Sequence, residues 1–350
     1  MRRLISIALA LALTALLGTQ SAAAASAEII RAFVYEGTLY TYVSMADLEE
    51  PVTKAEAKLG GQSFAASGRL ETVRQAGSPV TWLLLVDASM PAFRQEAEDL
   101  AESLAQSVGE NTRFILATFG DAFQIVDEDV PAGELAGTLA AVPFDERVTR
   151  LHTGIDQALD YFEGLPRARS ELRCMVILSD AVQYDPAGGV PYETLLERVS
   201  RSDVMLHSVG LGSDTASLDS LGRLSEASGG LHQVVGGVSA GEAGTALVEF
   251  GNELFVTGFA LNGYTSEGGT ETVSVTFAAG STLLCRTETE VELPELTGEL
   301  PPVQPDAPGT SRPGCRPLCR TLPPRQIRPV RQRPADCRCR SCSALAAPWQ

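Results

Sequence analysis

The chain has 350 residues, with 27 Lys and Arg against 44 Asp and Glu and a formal charge of −17. Without Arg2, Arg3 and residues 301–350, where nine Arg face Asp306 and Asp336, the body holds 16 basic and 42 acidic residues, a field that attracts cations and repels nucleic acid and anionic membranes. The apolar share of 44% is that of an ordinary folded protein, and the length allows two domains.

Residues 1–27 read as a signal peptide. Arg2 and Arg3 form the basic start, residues 4–17 an apolar run, and Ser21 through Ala27 a stretch of small residues with Ala-x-Ala cleavage character. The run is short for a membrane span. The mature protein is therefore expected to be exported, secreted or displayed at the cell surface, with an uncleaved anchor as the alternative. No later stretch is long and apolar enough to span a bilayer, so membrane attachment is expected only through an anchor not seen in this chain.

Residues 28–78 form a first β segment. Two β-rich runs, 29–35 and 39–45, flank Glu36-Gly37-Thr38 and predict a hairpin. Weaker strand patterns lie at 55–59 and 70–74. Residues 79–257 then alternate strand and helix patterns, which predicts a mostly parallel sheet with helices on both faces. After the first strand, Phe93, Ala97, Leu100, Ala101, Leu104 and Val108 mark one helix face, and Gly120-Asp121 separates two strands of an antiparallel edge hairpin. Residues 204–209 give another buried strand. Leu218, Leu221 and Leu224 line the helix after it, and Leu247, Phe250 and Leu254 line a last helix.

In residues 258–298 the period changes to two: Val273, Val275 and Phe277 alternate with Thr272, Ser274 and Thr276, and Cys285 through Leu293 alternate likewise. Neither flanking β segment is large enough to bury a core alone. The two are therefore expected to form one β-sandwich, with the α/β domain inserted between its halves. Residues 299–350 hold 11 of the 20 Pro and five of the seven Cys. Their composition reads as a disordered tail, or as out-of-frame translation of GC-rich DNA. The spacing of Cys315, Cys319, Cys337, Cys339 and Cys342, with no His among them, matches no familiar zinc pattern. Cys174 and Cys285 fall on different predicted strands and are expected to be separate buried thiols.

The candidate site comes from the ends of these elements. The run Val80-Thr81-Trp82-Leu83-Leu84-Leu85-Val86-Asp87-Ala88-Ser89 is too apolar for a half-exposed strand and reads as one buried on both faces. In open α/β sheets ligands bind beyond the carboxyl ends of strands, which is where Asp87 and Ser89 fall. Thr149 opens a helix marked by Leu151, Ile155, Leu159 and Phe162, and Asp180 ends the buried strand Cys174-Met175-Val176-Ile177-Leu178-Ser179-Asp180. Singly, each of these residues also suits a helix cap. Jointly, two carboxylates and two hydroxyls without His or Cys suit a hard divalent cation with water completing about six positions.

Asp87, Ser89, Thr149 in a Thr-x-Leu-x-x-Gly-Ile context, and Asp180 in Ile-Leu-Ser-Asp resemble, in that order, the von Willebrand factor type A (VWA) family. Ser208-Val209-Gly210-Leu211-Gly212 and Leu221-x-x-Leu224-x-x-x-Ser228-Gly229-Gly230 extend the resemblance over roughly half the chain. It implies a Rossmann-like α/β fold whose metal-ion-dependent adhesion site (MIDAS) binds Mg²⁺, with Mn²⁺ or Ca²⁺ as alternatives. Asp87, Ser89, Thr149 and Asp180 would be the ligands, and an acidic side chain of a protein partner would complete the shell. Two residues depart from the family pattern: Pro91 stands where a second Ser is usual, and Ala181 where Gly is more usual.

The expected function is an exported or cell-surface adhesion module that captures a protein partner through this metal. The alternative is a metal-independent structural or interaction module with a decayed site. A Ser89, His152, Asp180 hydrolase is a third reading, but no Gly-x-Ser-x-Gly elbow surrounds Ser89. No Gly-x-Gly-x-x-Gly turn or phosphate loop follows the first strand, so no nucleotide is expected either. The chain is thus read as a non-enzyme.

Overall fold

The computed structural model describes residues 25–298 apart from 49, 186 and 187. Most of the signal-peptide reading and all of the Pro, Arg and Cys-rich tail from 301 onward lie outside the described residues.

The chain opens with a hairpin, β1 (Ser26–Tyr35) and β2 (Thr38–Ala46), whose turn places Glu36 and Gly37 at positive φ. A second hairpin follows, β3 (Lys54–Leu59) and β4 (Gln62–Ala65). The strand expected at 70–74 is shorter than its pattern suggests. β5 (Glu71–Thr72) stops because the Thr72 side chain caps a single helical turn, α1 (Val73–Ala76), accepting from Gln75 N–H while Gln75 Oε1 accepts from Thr72 N–H.

The α/β layer begins at β6 (Val80–Asp87) and continues through α2 (Arg94–Ser107), β7 (Thr112–Phe119), β8 (Gln124–Val130), α3 (Leu135–Ala140), α4 (Leu151–Gly164), β9 (Leu172–Ser179), α5 (Tyr192–Arg201), β10 (Val204–Gly210), α6 (Thr215–Ala227), β11 (His232–Val234) and α7 (Ala240–Glu253). Elements α3, α5 and β11 fall where the sequence patterns assign none. Every residue of β6, β9 and β10 is buried, as a parallel strand covered on both faces requires. Trp82, Leu84 and Val86 pack on one side with α2 and α7, while Leu83 and Leu85 pack on the other with α4 and α6.

The six strands lie in the order β11-β10-β9-β6-β7-β8, all parallel except the edge strand β8. The chain runs outward from β6 through β7 to β8, then returns to β9 on the other side of β6. The order therefore reverses between β6 and β9, a topological switch point. The Ser228-Gly229-Gly230 signal ties α6 to β10: Ser228 Oγ accepts from Leu206 N–H at 2.8 Å, and a Cβ on Gly230 would lie 2.0 Å from the Leu206 carbonyl oxygen.

After α7 come β12 (Phe255–Ala260), β13 (Thr265–Ala279) and β14 (Thr282–Thr297). The two β segments interleave. One antiparallel sheet has the order β1-β2-β12-β5 and the other β14-β13-β3-β4. Leu39, Val43 and Phe259 of the first pack against Ala57, Leu59, Val275, Phe277 and Val291 of the second to form the sandwich core. The first sheet turns its other face, with Ile30, Phe33, Tyr42 and Val256, onto the α/β layer. The architecture is thus an α/β domain inserted in a β-sandwich built from both flanking segments. Cys174 and Cys285 are buried free thiols in separate cores.

Candidate metal site

The ends of β6 and β9 flank the switch point, and both carry carboxylates. Asp87, the last residue of β6, is 2% exposed. Its Oδ1 accepts from Ser89 N–H at 3.0 Å and from Ser89 Oγ at 2.6 Å, and its Oδ2 accepts from Ser179 Oγ at 2.8 Å. With the Ser89 proton directed at Asp87, the 2.8 Å contact between Ser89 Oγ and Thr149 Oγ1 is donated by Thr149. A relay of hydroxyls therefore runs from Thr149 through Ser89 to a buried carboxylate.

Thr149 is held from both directions: its carbonyl accepts from Tyr184 N–H at 2.8 Å, and Arg150 N–H donates to Gly120 O at 3.3 Å. The glycine of the Thr-x-Leu-x-x-Gly pattern has a steric reason. A Cβ on Gly154 would sit 2.8 Å from Cβ of Phe119, the last residue of β7, so α4 approaches the sheet closely only because that position is bare. Phe119 O in turn accepts from Ala88 N–H at 2.9 Å, linking this contact to the peptide between Asp87 and Ser89.

Asp180 follows β9 directly. Its Oδ1 accepts from Val182 N–H at 2.9 Å, and its own N–H points at Met90 Sδ, 3.2 Å away. Hydrogen bonds thus join Asp87, Ser89 and Thr149, while Asp180 sits at the adjacent strand end, its negative charge felt at Asp87. The two departures from the VWA pattern have local structural roles. Pro91 opens the 3₁₀ turn Pro91–Phe93 that leads into α2, a helix-entry position where a missing N–H costs nothing. Ala181 adopts φ 62°, the left-handed region that glycine occupies without strain, and its N–H donates to Ser179 Oγ at 3.1 Å.

Burial raises the Asp87 carboxyl above the usual carboxylate range, hydrogen bonds from Ser89 and Ser179 pull it back, and the charge of Asp180 pushes it up again. A cation seated between the two carboxylates would relieve both unfavourable contributions. Among the described residues no three His, Cys, Asp or Glu side chains converge. The donors here are two carboxylates and two hydroxyls, hard oxygens of the kind Mg²⁺ or Mn²⁺ accepts. By donor chemistry, Asp87, Ser89, Thr149 and Asp180 fit such an ion.

His152 does not join this cluster. Its Nδ1 lies 3.1 Å from Val190 O and its N–H donates to Gln183 Oε1, while the Ser89 hydroxyl is engaged by Asp87 and Thr149. The ring is half-buried, less exposed than a helix-surface position, and burial lowers its pKa. Ser179 and Met90 were not anticipated as site residues. The Ser in Ile-Leu-Ser-Asp was the available signal for Ser179, since a strand-end hydroxyl beside a buried carboxylate is a ready hydrogen-bond donor.

No protein-family model and no curated protein matches the sequence. Solved structures of similar fold include an aerotolerance-related membrane protein from Bacteroides fragilis, 14% identical over 49% of this chain and 97% of that one, with a TM-score of 0.41. A von Willebrand factor type A protein from Catenulispora acidiphila is 10% identical over 77% of this chain and 72% of that one, with a TM-score of 0.42. The manganese-loaded TRAP protein of Plasmodium vivax is 13% identical over 64% of this chain and 95% of that one, with a TM-score of 0.43. The α/β layer of this chain, with its mostly parallel sheet, reversed strand order and antiparallel edge strand, is the Rossmann-like fold that the resemblance to the VWA family implies.

Proposed function

We propose that this protein is an exported binding module that captures a protein partner at the carboxyl edge of its central sheet, through a divalent cation held by Asp87, Ser89, Thr149 and Asp180. The observation that carries the reading is the hydroxyl relay onto buried Asp87 at the switch point. The ion would supply positive charge with open coordination positions, suited to an acidic side chain of a partner. Beside it, Val182 and Tyr184 on the loop after Asp180 are 41% and 59% exposed, and aromatic side chains such as Tyr are enriched where proteins meet. Catalysis is not proposed: His152 is engaged by Val190 O and Gln183, away from Ser89, whose hydroxyl is held between Asp87 and Thr149. Export rests on the basic and apolar N-terminal sequence; no helix among the described residues is long and apolar enough to cross a membrane.

A metal-independent interaction module is the second reading, favoured by Pro91 and by the fact that the hydrogen bonds onto Asp87 are all supplied within the chain. Thermal melts of the full chain in EDTA and then in millimolar Mg²⁺ or Mn²⁺ separate the two. A ligand that binds only the folded state at 100 times its Kd adds about 2.7 kcal/mol, so the first reading expects a rise in Tm that Asp87→Ala abolishes. No rise with either cation supports the second.

A further inference from the structure

A second site lies near the amino ends of β9 and β10, away from the strand ends that carry Asp87 and Asp180. A polar cleft of about 620 Å³ opens between the end of α5, with Ser200 and Ser202, and the β13–β14 hairpin, with Glu290 and Glu292. Arg31 of β1 lines its inner wall. The β1–β2 register shifts between Ile29 and Arg31, a bulge of the kind that re-aims a side chain. Here it puts Arg31 on the same side as Ile30 and Phe33, facing the α/β layer.

Arg31 is only 9% exposed, and its Nε and Nη2 are buried with no hydrogen-bond partner among the described residues. Among the described residues no carboxylate pairs with it. Burial lowers its pKa to about 10, and its charge also helps to keep neighbouring His207 neutral. A buried unpaired guanidinium is costly, and one on a bulged strand that lines a ligand-sized cleft calls for a counterion. The outer wall is acidic in balance: Arg201 is paired with Glu197 at 2.9 Å, and Glu271, Glu290 and Glu292 add three further carboxylates. Glu290 and Glu292 are exposed on β14, opposite Thr272 and Thr270 of β13. A simple anion would meet these carboxylates on entry, and a simple cation would meet Arg31 at the bottom.

We propose that this cleft binds a small zwitterion of the amino-acid or short basic peptide class, with its carboxylate on Arg31 and its cationic group between Glu290 and Glu292. A hydrogen bond between a guanidinium and a carboxylate is charge-assisted and stronger than a neutral one. The test uses the full chain, with L-lysyl-L-lysine, cadaverine and acetate as probes in titration calorimetry and thermal melts. The dipeptide is expected to bind and to raise Tm. Cadaverine, which lacks the carboxylate, and acetate, which lacks the cation, should each bind at least tenfold more weakly.

Arg31→Met should lose at least tenfold in dipeptide affinity while folding as well as the ligand-free parent, because it removes an unpaired buried charge. Should Arg31→Met fail to fold, the surface pair Glu290→Gln with Glu292→Gln, which leaves the core intact, must weaken the dipeptide at least tenfold. Equal binding of cadaverine and dipeptide would reduce the cleft to an acidic patch and overturn the proposal. So would the absence of binding by all three probes, or dipeptide affinity unchanged in these variants.

Discussion

Replacing Gly154 by Ala tests the link between the α/β packing and the candidate metal site. Helix propensity alone favours Ala by up to about 1 kcal/mol. The packing opposes it, since the new Cβ would lie 2.8, 3.0 and 3.3 Å from Cβ, Cγ and Cδ2 of Phe119, where carbon contacts relax at about 3.5–4.0 Å. Phe119 is 1% exposed and ends β7, so the ring has little room to retreat. Overpacking of a tight core costs about 1–3 kcal/mol. The net expectation is a loss of about 1–2 kcal/mol, or a Tm lower by about 2–8 °C for a body of this size.

Melts in EDTA measure the stability term, and a cation titration then measures the site, because displacement of Phe119 pulls on Ala88 through the 2.9 Å bond between Ala88 N–H and Phe119 O. Trimming the ring should relieve the clash, so in a double-mutant cycle Gly154→Ala is expected to cost less in a Phe119→Leu background. A Gly154→Ala variant more stable than the parent would refute the reasoning: propensity would then outweigh the close approach, and the bare position would have no steric role.

Thr149→Val keeps the shape of the side chain but removes the donor to Ser89 Oγ. It is expected to cost about 1 kcal/mol in EDTA and at least tenfold in cation affinity, read by melts and by calorimetry. Cation binding itself should strengthen as pH rises through the raised Asp87 pKa. In EDTA the sign is opposite: a carboxyl that holds its proton more tightly when folded stabilises the fold at low pH, and this contribution fades as pH climbs past that value. Asp87→Asn is expected to flatten both profiles. His207 is fully buried, and burial first, then the charge of Arg31, lowers its pKa to about 3. The unfolded chain therefore takes up this proton first, and stability falls as pH drops from about 6.5 toward 3, with a slope approaching about 1.4 kcal/mol per unit. His207→Asn, placing an acceptor where Nδ1 meets Leu231 N–H, should lose that slope in denaturant titrations across the range.

Much of this architecture is legible in the residues because the physics is local and periodic. Strands buried on both faces appear as unbroken apolar runs, and the sandwich strands as alternation. The elements that escaped notice lack such a signal. Helix α5 buries only Leu195 and Val199, too few to establish a period, and β11 has three half-buried residues and a single neighbour. The strand expected at 70–74 is cut to Glu71–Thr72 by the capping of Thr72, a Thr-x-x-Gln pattern that is in the sequence but competes with β-rich neighbours. At the site, strand-end logic reaches Asp87 and Asp180, whereas the relay from Thr149 to Ser89 joins residues 60 apart and depends on how α4 docks. Arg31 is harder still. Its orientation depends on a one-residue bulge, and a parity count carried forward from Ile29 would turn it toward the sandwich core.

The insertion also accounts for which edge of the central sheet meets the sandwich. The chain enters the α/β layer through α1 and leaves it at the end of α7, and these crossing points are joined by Val73 N–H donating to Leu254 O at 2.8 Å. A Cβ on Gly251 near the end of α7 would touch Leu172 and Trp82, at the starts of β9 and β6, so both crossings lie at the amino edge. The sandwich is fastened near the same edge. Tyr42 donates its hydroxyl to Ser170 O at 2.7 Å, the Arg167 guanidinium stacks 3.5 Å over the Phe33 ring while pairing with Asp203, and Arg169 meets Glu36 at 3.0 Å. These fastenings gather opposite the strand ends that carry Asp87 and Asp180. The sandwich holds the α/β domain from behind, and among the described residues none of these fastenings reaches the oxygen-lined edge with Val182 and Tyr184.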